Sequence, residues 1–572
     1  MQGSGGERGA TLLDVIVGSA LMALVFTGIV GAFKLSVDVI SNNKARAGAI
    51  ALANERLEYI RSLSYDAIGT LGGIPAGAME QSATTTFNCF DYVRRTFVSY
   101  EDAPNDGTGN ADSNGIVVDY KAAKVSVSWE SRQGTRTIAM STRFSPPTGI
   151  ESAIPGGTIA VQVTDASSAP VSNAQVRIVN ADVSPAVDLS TYTDESGAAS
   201  VLGAPAGAGY AVSVSKAGFS TAQTYSASST NTNPTPAHLG VALNQTTAAS
   251  FVIDVVGTLS VHTFKAIEEE VWTDTFVDVS NISTSTAIEV SGGTAHLAGN
   301  DPYTAEGALI SNAISVPYLV RWKEVSWSAT TPEGTTATLH VYDDSWNLIS
   351  DVELPGNTAG FTVSPVAITS VSTTTHGLIR VGAQLSTADA STTPSITSWD
   401  VLYDVGPIPL SNITFSMQGA KTIGSGPSGP VYKYSVEQSS GSTAQASIAS
   451  VEFDTYTLSV AGGSGYDIAS SCAPQPVVIG PGYSVSTQLY LAPHTAHSLL
   501  IDIRSSGGAV IPSATVRLQR GGYDTTIVAD QCGQAFFMGL SSGSVGSGNP
   551  YTVDVSATGF TPFSSTEVNV SG

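Results

Sequence analysis

The sequence predicts an α+β N-terminal part, made of one long α-helix and a small antiparallel sheet, followed by an all-β array of sandwich and jelly-roll domains. Three observations lead to this fold class. An apolar run continues into an amphipathic stretch between residues 10 and 63. Apolar and polar residues then alternate from Val125 to Trp129, as in a half-buried strand. Beyond Pro147, short alternating runs are separated by turn-forming residues, which is typical of β-sandwiches.

Composition and charge restrict the function classes. Only 12% of the 572 residues are charged, and the formal net charge is −23. We expect no nucleic-acid partner, because such binding requires a basic patch and the chain has no comparable Lys/Arg cluster. The three cysteines form no CxxC pair and the histidines form no HExxH motif. We therefore expect no metal site and no cofactor.

The first predicted element is a helix over residues 10–63. No charge occurs between Val15 and Phe33, and a helix over residues 10–33 would be about 36 Å long, enough to cross a hydrocarbon core of about 30 Å. A cleaved secretory signal and a retained anchor both contain an apolar run. This run is longer than the roughly 7–15 residues of a signal, and an apolar stripe continues beyond it, which favours an anchor. The stripe consists of Ile40, Ala47, Ile50, Leu57 and Ile60.

The start of this helix carries a family resemblance. The string Gly9-Ala10-Thr11-Leu12-Leu13-Asp14-Val15 follows a short polar leader and resembles the cleavage motif of type IV pilins and type II secretion pseudopilins. The resemblance implies that a prepilin peptidase cuts after Gly9 and that the new N-terminus at Ala10 is methylated. It also implies that the Asp14 carboxylate pairs with the N-terminal ammonium of a neighbouring subunit during assembly. A charge at this depth in a bilayer is costly and generally marks function.

Three departures from the family pattern favour a minor pilin or a pseudopilin over a major structural subunit. Ala10 stands where an aromatic residue is usual, Asp14 replaces the longer Glu, and the apolar span contains no proline. We therefore expect a single-pass membrane protein that assembles with other pilin or pseudopilin subunits. The bulk of the chain would lie outside the cytoplasm, on a filament or at the cell surface.

Residues 64–150 are predicted to form a small β head, as in pilins and pseudopilins. The loop from Asp102 to Gly115 is rich in Asp and Asn, which are possible ligands for calcium. The same residue types are ordinary turn formers. Lys121 occupies the position where an EF-hand loop has its bidentate acid. We therefore favour a turn over a calcium site.

The chain after Pro147 contains copies of one strand-and-turn pattern. The pattern occupies residues 151–257, returns in residues 494–572 and recurs in weaker form in residues 409–493. These copies resemble the carboxypeptidase-regulatory-like, transthyretin-type sandwich. The resemblance implies a fold and a spacer or display role, and it implies no particular activity.

Residues 258–408 form a different block, which resembles the jelly-rolls of surface proteins. Such domains often bind sugars by stacking aromatic rings on the sugar. Several tryptophans of the block alternate with apolar residues, which favours core packing instead. The acidic run at residues 268–270 is interpreted as a solvated connector and not as a metal site. The block contains Trp272, Trp322, Trp327, Trp346 and Trp399.

Cys472 and Cys532 lie in the last two modules, where they are either two buried thiols or a disulfide. We favour the disulfide if the chain is exported. It would close a loop of about 60 residues and contribute about 4 kcal/mol by chain entropy. Cys89 would then be left unpaired.

No catalytic constellation is visible in the sequence. The chain has no GxSxG elbow, P-loop or dinucleotide fingerprint, and we expect no enzyme. The sequence thus predicts a minor pilin or pseudopilin that displays β-domains for adhesion on a type IV pilus-like filament. Two alternatives stay open: a type II secretion pseudopilin, and a membrane-tethered surface protein that binds a glycan.

Overall fold

The computed structural model describes residues 12–102, 118–132, 134–147 and 156–571, with side chains from Ser19 onward except those of residues 462 and 547. The chain divides into two compact units. Unit 1 contains the chain up to Val256 together with Lys421–Lys433 and Ser450–Phe453. Unit 2 contains Gly257–Ala420, Tyr434–Ala449 and the chain from Asp454 onward.

The helix α1 runs without interruption over Leu12–Arg61, a length of 50 residues and about 75 Å. No proline interrupts it. The chain leaves the helix through Ser62, whose amide donates to the carbonyl of Glu58 at 3.0 Å. A single 3-10 turn follows at Tyr65–Ala67. The predicted long N-terminal helix is therefore confirmed.

A four-stranded antiparallel sheet forms the head. Its strands are β1 (Ser82–Phe87), β2 (Phe90–Glu101), β3 (Tyr120–Ser131) and β4 (Gly134–Phe144). They pair in chain order. The alternation in β3 buries Val125, Val127 and Trp129, which share a core with Ala49 and Ile60 of α1. The small antiparallel sheet thus packs on the second half of the helix.

The first sandwich module has two sheets. One has the order β10-β9-β6-β7, and the other has the order β13-β5-β8 with β13 parallel to β5. Val161, Ile178 and Val212 are among the residues buried between the sheets. The strands are β5 (Gly157–Thr164), β6 (Gln175–Asn180), β7 (Val187–Tyr192), β8 (Ala198–Ala204), β9 (Gly207–Ser215), β10 (Ala222–Gln223), β11 (Asn233–Pro234), β12 (Leu239–Val241) and β13 (Thr246–Val252).

The head and the first module share part of one core. Ile74, in the loop after α1, is buried among the core residues of the module. The amide of Asp188 donates to the carbonyl of Gly72 at 2.8 Å, and the amide of Ser190 donates to Oε1 of Gln81 at 3.1 Å. These contacts explain why the structure has one compact unit where the sequence predicts two domains.

The strand β14 (Gly257–Lys265) precedes the jelly-roll-like block. The strands of the block are β15 (Glu268–Asp274), β16 (Ile282–Thr286), β17 (Ile288–Ser291), β18 (Thr294–Leu297), β19 (Glu306–Ser311), β20 (Ile314–Ser315), β21 (Leu319–Thr330), β22 (Thr335–Tyr342), β23 (Val366–Ala367), β24 (Leu378–Thr387) and β25 (Ser395–Val405). One sheet has the order β17-β18-β25-β21-β23, with β15 also paired to β25. The other has the order β16-β19-β24-β20, with β22 also paired to β24. Trp322, Leu339 and Trp399 lie in the common core.

The chain from residue 408 forms ten further strands, β26 to β35. One sheet has the order β30-β27-β32-β34, and the other has the order β26-β14-β35-β33, with β31 also paired to β14. The hairpin β28–β29 pairs with β11 and belongs to unit 1. The strands are β26 (Ile408–Pro409), β27 (Thr414–Gly419), β28 (Thr422–Gly426), β29 (Gly429–Tyr432), β30 (Ser435–Ser439), β31 (Gln445–Val451), β32 (Asp454–Val460), β33 (Tyr466–Cys472), β34 (Val477–Ile479) and β35 (Ser484–Pro493).

The last module contains six strands around its own core. Val516, Leu518 and Phe537 are fully buried there. One sheet has the order β38-β37-β40-β41, and β36 pairs with β39. The strands are β36 (Leu499–Asp502), β37 (Thr515–Arg520), β38 (Tyr523–Val528), β39 (Gln534–Phe537), β40 (Tyr551–Ser556) and β41 (Phe563–Val568).

The three modules have the same strand order. The sheet β7-β6-β9-β10 of the first module corresponds to β30-β27-β32-β34 and to β38-β37-β40-β41. The pairs β5–β8, β14–β31 and β36–β39 also correspond, and the parallel pair β5–β13 is repeated as β14–β35. The second module therefore begins at β14 and is interrupted by the jelly-roll-like block. The first and last strands of that block, β15 and β25, pair with each other, which brings the two ends of the insertion together.

Candidate functional site

The N-terminal half of α1 exposes apolar side chains. Between residues 19 and 40, the side chains of Leu21, Leu24 and Phe33 are 60%, 72% and 70% exposed. Among the described residues, this helix is by length and composition apolar enough to cross a membrane. Apolar surface of this extent is rarely left in contact with water.

The second half of α1 approaches the head sheet closely at Gly48. The buried hydroxyl of Tyr92, on β2, donates to the carbonyl of Ala45 at 2.9 Å. Burial raises the pKa of Tyr92. A Cβ atom on Gly48 would collide with the Tyr92 hydroxyl and lie 3.3 Å from the ring of Phe87. The absence of a side chain at Gly48 therefore allows the helix to pack closely against the sheet.

Gly48→Ala is expected to lower the free energy of unfolding of unit 1 by about 1–3 kcal/mol, because it overpacks the contact with Tyr92. Alanine is a better helix former than glycine by about 1 kcal/mol, so helix propensity alone predicts a gain in stability. A loss would therefore come from the contact with Tyr92. Gly31→Ala is the matched control, since nothing lies within 4 Å of a Cβ there. Urea unfolding of the full chain in detergent gives the midpoint for each of the two variants. Equal midpoints for the two variants would contradict the close approach.

Lys121 is buried in the head and ties the turn after α1 to β3. Its Nζ donates to the carbonyls of Tyr65 at 2.8 Å and Ile68 at 2.9 Å. It also lies 4.6 Å from the centroid of the Tyr65 ring. Burial lowers the pKa of Lys121, and burial raises the pKa of the neighbouring Tyr100 to about 12. Lys121 therefore joins the helix end to the sheet.

Unit 1 contains a cleft of about 740 Å³ between the outer face of the head sheet and the first module. Its walls carry small polar side chains such as Ser126 and Ser200, and two cations, Arg95 and Lys124. The guanidinium of Arg95 lies 5.9 Å from the centroid of the Tyr192 ring. Glu101 also lines the cleft, which thus presents hydroxyl groups and charges of both signs.

The five tryptophans of the jelly-roll-like block occupy three environments. Trp322 and Trp399 are fully buried. Trp272 and Trp327 are partly buried and pack against the same core. Trp346 is 42% exposed. Core packing, which the sequence favours, is confirmed for the first four, and Trp346 differs from them.

The acidic run at residues 268–270 begins the strand β15, so its interpretation as a connector is wrong, whereas Glu269 and Glu270 are exposed to solvent as the sequence predicts. Glu268 pairs with Lys265, and Glu269 pairs with Lys323. Neighbouring residues of a strand point to opposite sides, which lets each of these carboxylates reach a different lysine. Among the described residues, no group of three His, Cys, Asp or Glu side chains is placed to hold a metal ion.

Cys472, at the end of β33, and Cys532, in the turn between β38 and β39, form a disulfide. Their Cα atoms are 5.6 Å apart, a usual separation for such a bond. A hydrogen bond from the Ser470 hydroxyl to the Asp530 carboxylate joins the same two segments. The disulfide therefore links the second module to the third. Cys89 is free and exposed.

Several predicted site residues fall outside the described part of the chain. Gly9 and Ala10, the predicted cleavage and methylation positions, precede the first described residue. Asp14 lies in the first turn of α1, and its side chain is among those not described. The loop weighed as a calcium site also lies outside the described residues, apart from Asp102. These assignments stay predictions.

Residues 158–252 match a family model described as the carboxypeptidase regulatory-like domain. The matched segment is the first module. The strand order shared by the three modules indicates the same fold for the second and third. No curated protein matches the chain.

Several solved structures are similar to this chain at low identity. The Bacillus anthracis TIE protein has 10% identity and a TM-score of 0.16, with 86% of this chain and 71% of that chain covered. BcpA, the major pilin subunit of Bacillus cereus, has 10% identity and a TM-score of 0.13, with 73% and 95% covered. The major pilin SpaD from Corynebacterium diphtheriae has 9% identity and a TM-score of 0.13, with 60% and 98% covered. Values this low carry no argument about function.

Proposed function

We propose that this chain is a minor pilin or pseudopilin, a membrane-anchored filament subunit that displays β-modules for adhesion. A prepilin peptidase would cut after Gly9, Ala10 would be methylated, and Asp14 would pair with a neighbouring subunit. One observation carries the proposal. The helix α1 exposes apolar side chains between residues 19 and 40. Between residues 45 and 60 it buries another set of apolar side chains against the head sheet, namely Ala45, Ala49, Leu52, Ala53, Leu57 and Ile60. One half of the helix is thus suited to lipid, and the other holds a globular head.

Other features support display outside the cytoplasm. A disulfide such as Cys472–Cys532 persists in oxidising compartments. Three modules of one fold and an inserted sandwich provide several surfaces. We propose a non-catalytic role for them, with other pilin or pseudopilin subunits as assembly partners.

Gly9→Leu is expected to abolish processing when the full chain is produced together with a prepilin peptidase. The proposed cut follows Gly9, and a bulky side chain there would block the scissile bond from the peptidase. Mass spectrometry of the N-terminus should find methylated Ala10 for the unchanged chain and an intact leader for the variant. Gly6→Leu lies in the same leader, three residues earlier, and is the matched control. It should be processed like the unchanged chain.

Two results would contradict this proposal. One is cleavage of the Gly9→Leu chain at the same bond. The other is release of the apolar helix from the unchanged chain, as a secretory signal would require. A type II secretion pseudopilin would be processed in the same way. Deleting the gene for this chain distinguishes the two: loss of a surface filament would indicate a minor pilin, and loss of protein secretion would indicate a pseudopilin.

A second candidate function is a membrane-tethered carbohydrate-binding protein. Such a protein would have the same membrane anchor and would not assemble into a filament. The exposed ring of Trp346 favours it, because the other four tryptophans of the same block pack in or against the core. The two candidates are compatible, since a filament subunit can also carry a binding site.

A further inference from the structure

One five-residue turn is found at five places in the described chain. In each turn, the amide of the first residue donates to the carbonyl of the fifth at 2.8–2.9 Å. The side chain of the first residue, an Asp in four turns and Ser505 in the other, accepts a hydrogen bond from the amide of the fifth. The turns lie at residues 165–169, 194–198, 343–347, 505–509 and 530–534.

The fourth residue of this turn has a left-handed backbone conformation. Its φ lies between 67° and 83° in all five copies. Glycine adopts this conformation without a steric penalty, and three copies have glycine there. The fourth residues are Ser168, Gly197, Trp346, Gly508 and Gly533. A tryptophan at positive φ is a genuine outlier, so the turn itself disfavours Trp346.

Burial in the core does not explain why a tryptophan occupies position 346 either. Its side chain is 42% exposed, whereas Trp322 and Trp399 of the same block are fully buried. A strained backbone position that gives no buried core contact is a reason to look for a function. The strain at Trp346 places a large aromatic ring at the tip of a turn.

A cationic side chain packs against one face of the Trp346 ring. The guanidinium of Arg380, on β24, lies 4.1 Å from the ring centroid, a close cation–π contact. The Nε of Arg380 is buried and has no hydrogen-bond partner. The guanidinium thus orients the indole, and 42% of the side chain remains exposed. Beside Trp346 in the turn, Asp344, Ser345 and Asn347 are exposed.

We propose that Trp346 is the platform of a carbohydrate-binding site, on which a pyranose ring stacks against the indole face opposite Arg380. The C–H bonds on the face of a sugar are polarised positively and are attracted to the negative face of an aromatic ring. Asp344, Ser345 and Asn347 offer acceptors and donors for the sugar hydroxyls. A sugar fits this surface better than a protein partner does, because these neighbours of the ring are polar.

The test uses the purified full-length chain in detergent on an array of neutral and acidic oligosaccharides. Trp346→Gly introduces the residue that the same turn has at positions 197, 508 and 533. Binding of the best retained oligosaccharide is expected to weaken at least about tenfold, the effect of removing a central aromatic contact. The unfolding midpoint should stay unchanged or rise, because glycine relieves the backbone strain.

Ser168→Gly is the matched control, because it makes the same backbone change at the same position of the same turn in the first module. It should leave oligosaccharide binding unchanged. Three results would each overturn the proposal: an unchanged chain that no oligosaccharide on the array retains, a Trp346→Gly chain that binds as well as the unchanged one, and a lower unfolding midpoint for Trp346→Gly, which would make Trp346 a folding residue.

This inference rests on the proposed display role for its biological meaning. The two are tested separately, because cleavage after Gly9 is read from the N-terminus of the same preparations. If the unchanged chain is cleaved after Gly9 but binds no oligosaccharide, the binding site is contradicted and the filament role is not. If it binds an oligosaccharide through Trp346 but is not cleaved, the filament role is contradicted and the binding site is not.

Discussion

Trp399→Ala is expected to lower the free energy of unfolding of unit 2 by about 3–5 kcal/mol. Trp399 lies in β25 and is fully buried, and its ring centroid is 5.1 Å from that of Phe276. Truncation removes the transfer free energy of the indole and leaves a cavity that the surrounding strands close only in part. Urea unfolding of the full chain, followed by near-ultraviolet circular dichroism, measures the loss.

The matched control for this prediction is Trp346→Ala. Because 42% of that side chain is exposed and its close contact is the cation–π contact with Arg380, its truncation should change the free energy of unfolding by no more than about 1 kcal/mol. The loss expected for Trp399→Ala approaches the whole stability of some domains. Trp399→Phe, which keeps most of the apolar volume, should therefore give a smaller loss that can be measured. Equal losses at Trp399 and Trp346 would contradict the assignment of Trp399 to the core.

Replacing Cys472 and Cys532 together by serine is expected to lower the free energy of unfolding of unit 2 by up to about 4 kcal/mol. The disulfide joins residues separated by 60 positions, and it restricts the unfolded chain by closing that loop. Cys532 is also buried, so a serine hydroxyl there would lose its hydration. Thermal unfolding of the full chain, with and without a reductant, gives the measurement.

Two comparisons make the disulfide prediction specific. Cys89→Ser removes an exposed free thiol and should leave the unfolding midpoint unchanged. Reductant should lower the midpoint of the unchanged chain toward that of the double variant, which also carries the buried serine hydroxyl, and should have no effect on the double variant itself. A midpoint of the unchanged chain that does not respond to reductant would contradict the linkage between the second and third modules.

The elements that the sequence predicts correctly depend on local patterns. The long helix follows from an uninterrupted apolar run that continues into an amphipathic stretch. Of the predicted apolar stripe, Leu57 and Ile60 are buried, whereas Ile40 and Ala47 are exposed. The buried face of β3 follows from the alternation of Val125, Val127 and Trp129. The recurrence of one module follows from repeated strands and turns, because turn chemistry is set by a few adjacent residues. The processing motif at Gly9 and Ala10 is also a local signal, and it stays a prediction.

The candidate binding site is a case where local signals are insufficient. The sequence shows five tryptophans in one block and favours core packing for them, without distinguishing Trp346 from the others. The distinction requires the positive φ of Trp346, its exposure and the position of Arg380 over its ring. A sequence signal did exist, since the string Asp343-Asp344-Ser345-Trp346-Asn347 has tryptophan where Asp194-Glu195-Ser196-Gly197-Ala198 has glycine.

By itself, the sequence determined the α+β start, the all-β remainder and the repetition of one module. Only the tertiary structure decided which strands became neighbours. The strand β14 pairs with β35, more than 200 residues later, and the jelly-roll-like block is an insertion into the second module. The physical reason is that alternation specifies which face of a strand is buried and does not specify its partner. Partner choice depends on packing between distant segments, and the same packing buried Trp399 and left Trp346 at the surface.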